Sequence, residues 1–226
     1  MKILAIDSSA KAASVAIVED GKILGEVFLN CGLTHSVTVM PSVEWLLDVT
    51  GLKIYDVERI AITEGPGSFT GLRIGMAAVK GLAWACDIPC VGVSTLETIA
   101  LGASVSDGIV CAVMDARANQ VYNALFEAKD GKLSRLTEDR AITIPELLEE
   151  ISEMEKVSFA GDGAELCYQR AERKFNIVPE NVRCQRASAV AFIASEKESV
   201  SAQELSPEYI RLPQAERERL ERIKNK

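Results

Sequence analysis

Two short apolar runs, Lys2-Ile3-Leu4-Ala5-Ile6-Asp7 and Ile109-Val110-Cys111-Ala112-Val113-Met114-Asp115, each close on an aspartate. A second strand-like run follows each of them, at 13–19 and 120–128. Both then turn through the same four-residue signal, Asp20-Gly21-Lys22-Ile23 and Asp130-Gly131-Lys132-Leu133. Asp-Gly between alternating apolar runs marks a two-residue hairpin, because both central positions of the turn need positive φ. A three-strand meander that occurs twice limits the fold to a duplication.

Each meander leads into segments of alternating strand and helix character. In the first half these are a helix over 34–50 with Pro41 starting or kinking it, a strand over 59–63, a helix over 70–86, a strand over 90–93 and a helix begun by Ser94 or Thr95. In the second half, helices are expected at 144–153, 164–174 and 187–197, with strands at 157–160 and 182–185. The pattern predicts an α/β protein of duplicated actin/hexokinase/Hsp70-like (ribonuclease H-like) domains, each a mixed sheet flanked by helices. The expected division is 1–105, 106–212 and a charged tail over 213–226.

Composition narrows the chemistry. A net charge of −8 and 5% aromatic residues argue against nucleic-acid binding by this chain alone through a basic face or stacking platforms. No run has the length of a signal-peptide core or a membrane span, so a cytoplasmic location is expected. The six cysteines are scattered, form no C-x-x-C pair and read as reduced thiols. His35 is the single histidine; it cannot anchor an imidazole-rich metal site and reads as a surface or helix-start residue. No metal is expected.

In an ATPase of this architecture, glycines in the two aspartate-terminated hairpins let backbone amides approach the nucleotide's phosphates. Here the hairpins read Asp7-Ser8-Ser9-Ala10-Lys11-Ala12-Ala13-Ser14 and Asp115-Ala116-Arg117-Ala118-Asn119-Gln120, without glycine. Asp7 and Asp115 either share a magnesium ion across a cleft or cap their local turns, and the missing glycines favour capping. Gly161-Asp162-Gly163 stands where the second half of this architecture would hold an adenosine, and equally describes a tight turn. Asp7, Ser8, Asp115, Arg117, Gly161, Asp162 and Gly163 are therefore expected to line a vestigial cleft, with ATP and magnesium bound weakly if at all.

The glycine-rich string Glu64-Gly65-Pro66-Gly67-Ser68-Phe69-Thr70-Gly71-Leu72-Arg73-Ile74-Gly75 lacks the Lys-Ser/Thr pair of a phosphate loop. Gly71, Gly75, Ala78 and Ala85 instead place small residues along one helix face, which allows close approach of another element. Leu72, Met76 and Val79 form an adjoining apolar stripe. Arg73, unfavourable at a helix start, calls for an external or paired role.

Ile3-Leu4-Ala5-Ile6-Asp7-Ser8-Ser9, Thr34-His35-Ser36, the Gly65–Gly75 string, Met114-Asp115-Ala116-Arg117, Gly161-Asp162-Gly163-Ala164 and Pro207-Glu208-Tyr209-Ile210-Arg211 together resemble the bacterial TsaB (YeaZ) family. The likeness runs from Met1 to about Pro213. The resemblance implies a catalytically silent paralogue of TsaD, the enzyme that transfers a threonylcarbamoyl group to N6 of adenosine 37 in tRNAs reading codons that begin with A. It implies a heterodimer with TsaD, recruitment of the ATPase TsaE, and contact with tRNA only within that complex. The first two helices would supply the partner surface, through His35, Val39, Val43 and Leu46 on one and Gly71, Leu72, Arg73, Gly75, Met76 and Val79 on the other. Where TsaD carries a His-x-x-x-His metal pair, this chain has His35 and Val39. A homodimer in isolation is expected, and Gly75→Leu is expected to block heterodimerisation. The competing reading is a small actin-like ATPase or kinase using Asp7 and Asp115; protease activity lacks a nucleophile with a base.

Overall fold

The computed structural model describes residues 1–171 and 175–211. The first sheet has the strand order β3-β2-β1-β4-β5, built from β1 (Lys2–Asp7), β2 (Ala13–Glu19), β3 (Lys22–Leu29), β4 (Arg59–Gly65) and β5 (Cys90–Ser94). The second has β6 (Gly108–Asp115), β7 (Gln120–Lys129), β8 (Lys132–Arg135), β10 (Val157–Ala160) and β11 (Asn176–Ile177) in the corresponding order, β8-β7-β6-β10-β11. Each begins as an antiparallel meander and continues with parallel strands, so both sheets are mixed. This is the duplicated actin/hexokinase/Hsp70-like architecture. Both Asp-Gly turns have positive φ at both positions, 47° and 77° at Asp20-Gly21 and 51° and 74° at Asp130-Gly131.

Helices α1 (His35–Thr50) and α2 (Phe69–Cys86) lie side by side on one face of the first sheet. Pro41 neither starts nor breaks α1; its side chain is exposed and the helix runs through it. Ser68 caps α2, its Oγ accepting the Gly71 N–H at 3.2 Å. Val39, Val43 and Leu46 meet Met76, Val79 and strand residues Ile6, Ile17 and Ile62 in one core. Each such side chain contributes about 1.5–3 kcal/mol on burial.

Two helices then cross between the halves. Helix α3 (Thr95–Ala103), capped by Ser94, follows the first sheet but buries Leu96, Ile99 and Ala100 against Val110, Ala112 and Phe126 of the second. Helix α7 (Ala187–Ser195) ends the second half but packs Val190, Ala191 and Ala194 on Ile3, Ala5 and Val91 of the first. A cut near residue 105 therefore separates the strands of the two halves but not their packing. Helices α4 (Ile144–Glu150) and α5 (Ala164–Arg170) cover the far face of the second sheet.

Two elements differ from expectation. The strand expected at 182–185 is instead helix α6 (Glu180–Arg183), and the strand lies earlier, where Asn176–Ile177 pairs with β10. Pro179 sets the φ that starts the helix, and Val182 packs beneath α3. Strand β9 (Arg140–Thr143) was not foreseen; it pairs with β7 across the Gln120–Asn123 stretch. The expected helix end at 174 and the tail over 213–226 fall outside the described residues.

Candidate functional site: a closed cleft and an outward helix pair

Asp7 ends β1 where the vestigial cleft is expected and is 1% exposed. Its Oδ1 accepts from the Thr63 hydroxyl at 2.6 Å, the Ser9 hydroxyl at 2.7 Å and the Ser9 N–H at 3.4 Å. Gln185 donates to Ser9 Oγ at 3.2 Å and closes the cluster from the second half. Asp7 Oδ2 and Gln185 Oε1 are buried without a hydrogen-bond partner. Burial pushes the Asp7 carboxyl above the usual carboxylate range, against the pull of the Thr63 and Ser9 hydrogen bonds.

The glycines beyond β4 explain this burial. Ser68 N–H donates to Ser9 O at 2.6 Å, and Ser8 Oγ donates to Gly71 O at 2.9 Å. A Cβ on Gly67, Gly71 or Gly75 would drive into Ser9 O, Ser8 O or Ser8 Oγ respectively. The glycine string thus receives the chain's own first hairpin, in the space where a phosphate cradle would stand open.

The second half repeats the device. A Cβ on Gly161 would strike Val113 O, and one on Gly163 would come within 3.0 Å of the Met114 backbone near the end of β6. Asp162 accepts the Asp115 N–H at 3.1 Å, and Asp115 in turn accepts the Arg117 N–H at 2.8 Å. Asp115 and Arg117 are exposed, whereas Asp7 and Ser8 are sealed. The two aspartates have unlike environments, and each is engaged in its local turn. A magnesium nucleotide does not fit these residues: Asp7 cannot reach a cation without moving the first hairpin, and own backbone fills both glycine junctions. Among the described residues, no group of three or more His, Cys, Asp or Glu side chains could hold a metal ion.

His35 is the first residue of α1, but it is buried. Its Nε2–H donates to Ala10 O at 2.8 Å, leaving Nδ1 buried and unpartnered, and its ring lies against Gly71. Val39, Val43, Leu46, Leu72, Met76 and Val79 are core residues, and Gly71 and Gly75 face Ser8. Of the expected partner contacts only Arg73 is exposed. It is paired within the chain, its guanidinium 3.9 Å over the Phe69 ring and its Nε donating to the Tyr209 hydroxyl at 3.0 Å. Gly75→Leu consequently tests folding and not an interface.

The outward surface of the helix pair is made by other residues. On α1 it exposes Val37, Met40, Trp45 and Val49, with Pro41 and Glu44 between them. On α2 the exposed line is Arg73, Ala77, Gly81, Trp84 and Ala85, and Trp84 is 73% exposed. A Cβ on Gly81 meets nothing within 4 Å. Ala77, Gly81 and Ala85, spaced by four, are therefore a small-residue stripe that faces outward. The signal was present in the sequence: these positions are out of phase with Leu72, Met76 and Val79 by half a helical turn.

A family model described as "TsaD: tRNA N6-adenosine threonylcarbamoyltransferase" matches residues 30–218. The tRNA threonylcarbamoyladenosine biosynthesis protein TsaB of Bacillus subtilis is 36% identical over 221 residues, covering 96% of each chain. The chain belongs to the TsaB family. TsaB of Escherichia coli is 38% identical over 152 residues, 66% of this chain and 65% of that one. The structure of YeaZ from Pseudomonas aeruginosa superimposes with a TM-score of 0.79 at 27% identity, covering 92% of this chain and 99% of that one. No helix among the described residues is long and apolar enough to cross a membrane.

Proposed function

We propose that this TsaB-family chain is a non-catalytic subunit in the threonylcarbamoylation of adenosine 37 in tRNAs that read codons beginning with A. It acts as a heterodimer with TsaD, in the cytoplasm, and the pair recruits TsaE. The names of its relatives support the pathway, and one observation carries the role. The face a catalytic relative would open, around Asp7, is packed shut, while the α1–α2 pair turns two tryptophans and a small-residue stripe to solvent. Exposed apolar residues grouped on neighbouring helices are the usual mark of a protein interface. A partner helix can approach α2 closely along Ala77, Gly81 and Ala85, and Trp45 and Trp84 are the natural anchors.

In isolation the same face is covered by a second copy of the chain, giving a homodimer. Nucleotide and magnesium binding is weak, and the ATP requirement belongs to the partners. Reconstituting the modification from purified partners with and without this chain tests the proposal; undiminished activity without the chain refutes it. Calorimetry with Mg-ATP tests the cleft, since tight binding lost in Asp7→Ala would mark a working nucleotide site.

A further inference from the structure

The segment after α7 connects the outward helix face to the cleft. Val200 pairs with Cys90 at the edge of β5 through two backbone hydrogen bonds of 2.8 and 2.9 Å. Leu205 is buried in the core beneath α1 and α2. Glu208 N–H donates to Glu64 O at 2.7 Å, and its carbonyl occupies the space a side chain at Gly65 would need. Gly65 has φ +141°, so the glycine string is shaped for this segment on one side and for the first hairpin on the other.

Tyr209 packs its ring 5.1 Å from that of Phe69, and its hydroxyl accepts from Arg73 Nε. Two residues further on, Arg211 Nη1 donates to Ala116 O at 2.7 Å, in the hairpin between β6 and β7. That hairpin is strained: Arg117, Ala118 and Asn119 are three consecutive non-glycine residues in the left-handed region, at φ 62°, 49° and 62°. Such a conformation persists only where its surroundings hold it, and Arg211 supplies a charge-assisted hydrogen bond from a distant element.

We infer that Leu205–Arg211 is a strap that couples the outward face of α2 to the 116–120 hairpin at the cleft mouth. Arg73 stands on the same exposed line as Ala77, Gly81 and Trp84. A helix that docks on that line meets Arg73, and any displacement of Arg73 passes through Tyr209 to Arg211 and Ala116. The two-state element is the strap, docked or released. The identity of the docking helix rests on the proposed function above; the coupling within the chain does not.

Hydrogen exchange on the full chain tests the coupling, read at the hydrogen-bonded amides of Ala116, Arg117 and Gln120. Arg211→Gln should speed their exchange about tenfold, the loss of one charged hydrogen bond expressed as local opening. Arg73→Gln, remote from the hairpin, should speed the same amides several-fold. The double variant should match Arg211→Gln alone, because both release one strap. Exchange in β10 and α5, whose core contains no residue of the strap, should not change, which separates strap release from general unfolding. Unchanged hairpin exchange in Arg73→Gln, or effects that multiply in the double variant, would overturn the inference. The measurement needs no partner, so it is decided independently of the heterodimer.

Discussion

Ser8 donates its hydroxyl to the carbonyl of Gly71, at 2.9 Å, and the same hydroxyl fills the space beside Gly75 where a side chain would begin. Those glycines exist for this contact. Gly75→Ala should therefore cost about 1–3 kcal/mol, the range for overpacking a closed interior. Gly81→Ala, on the open face of the same helix, should instead raise stability by about 0.5–1 kcal/mol through helix propensity. Urea unfolding of the two variants checks the contrast, and similar effects from both would refute the assigned faces.

Asp7→Asn probes the buried carboxyl at the end of β1. Burial raises the folded-state pKa of Asp7 above its unfolded value, so folding binds a proton in the window between them. Stability from this group is full below the unfolded value and is lost as pH rises through the window. The asparagine keeps an acceptor for Thr63 and Ser9, places no charge in the interior, and offers a donor where Oδ2 has no partner. The variant should be more stable than the parent by about 1 kcal/mol or more at neutral pH. The difference should vanish in acid below the unfolded carboxylate value, about 3.9. Denaturant titrations over that range provide the check.

Gly81→Leu and Trp84→Lys act on the outward face alone. The leucine has open space, and the lysine suits the C-terminal turn of α2. Both should leave the thermal midpoint within a few degrees of the parent and give a monomer by light scattering where the parent forms the proposed homodimer. A dimer that survives both places the interface elsewhere.

The cysteines should differ sharply towards a maleimide. Cys31 is exposed, whereas burial pushes the Cys167 thiol up to about 12 and Cys111 well above its ordinary value. Mass spectrometry should find Cys31 modified first and the other two protected until the chain unfolds.

Much of the fold was legible because its signals are local. The repeated Asp-Gly turns fixed the meanders, and Ser94 announced α3 through its bond to Glu97 N–H. β9 and α6 were less legible, because a four-residue segment carries too little periodicity and tertiary pairing decides its state. The site was legible in kind but not in face. Glycine at steps of four on α2 marks a close approach correctly, yet sequence alone does not say whether the approaching element is another protein or Ser8 of the same chain. Nor does it reveal that α3 and α7 each pack on the other half, since that depends on how the sheets sit in space.

On the proposed function, this chain contributes a surface and not a reacting group. The most direct test is reconstituted threonylcarbamoylation of tRNA with TsaD, TsaE and a threonylcarbamoyl donor, comparing the parent with Asp7→Asn and Trp84→Lys. Asp7→Asn should keep full activity, and Trp84→Lys should lose it to the level seen without the chain. Loss with Asp7→Asn while Trp84→Lys stays active would contradict the proposed function.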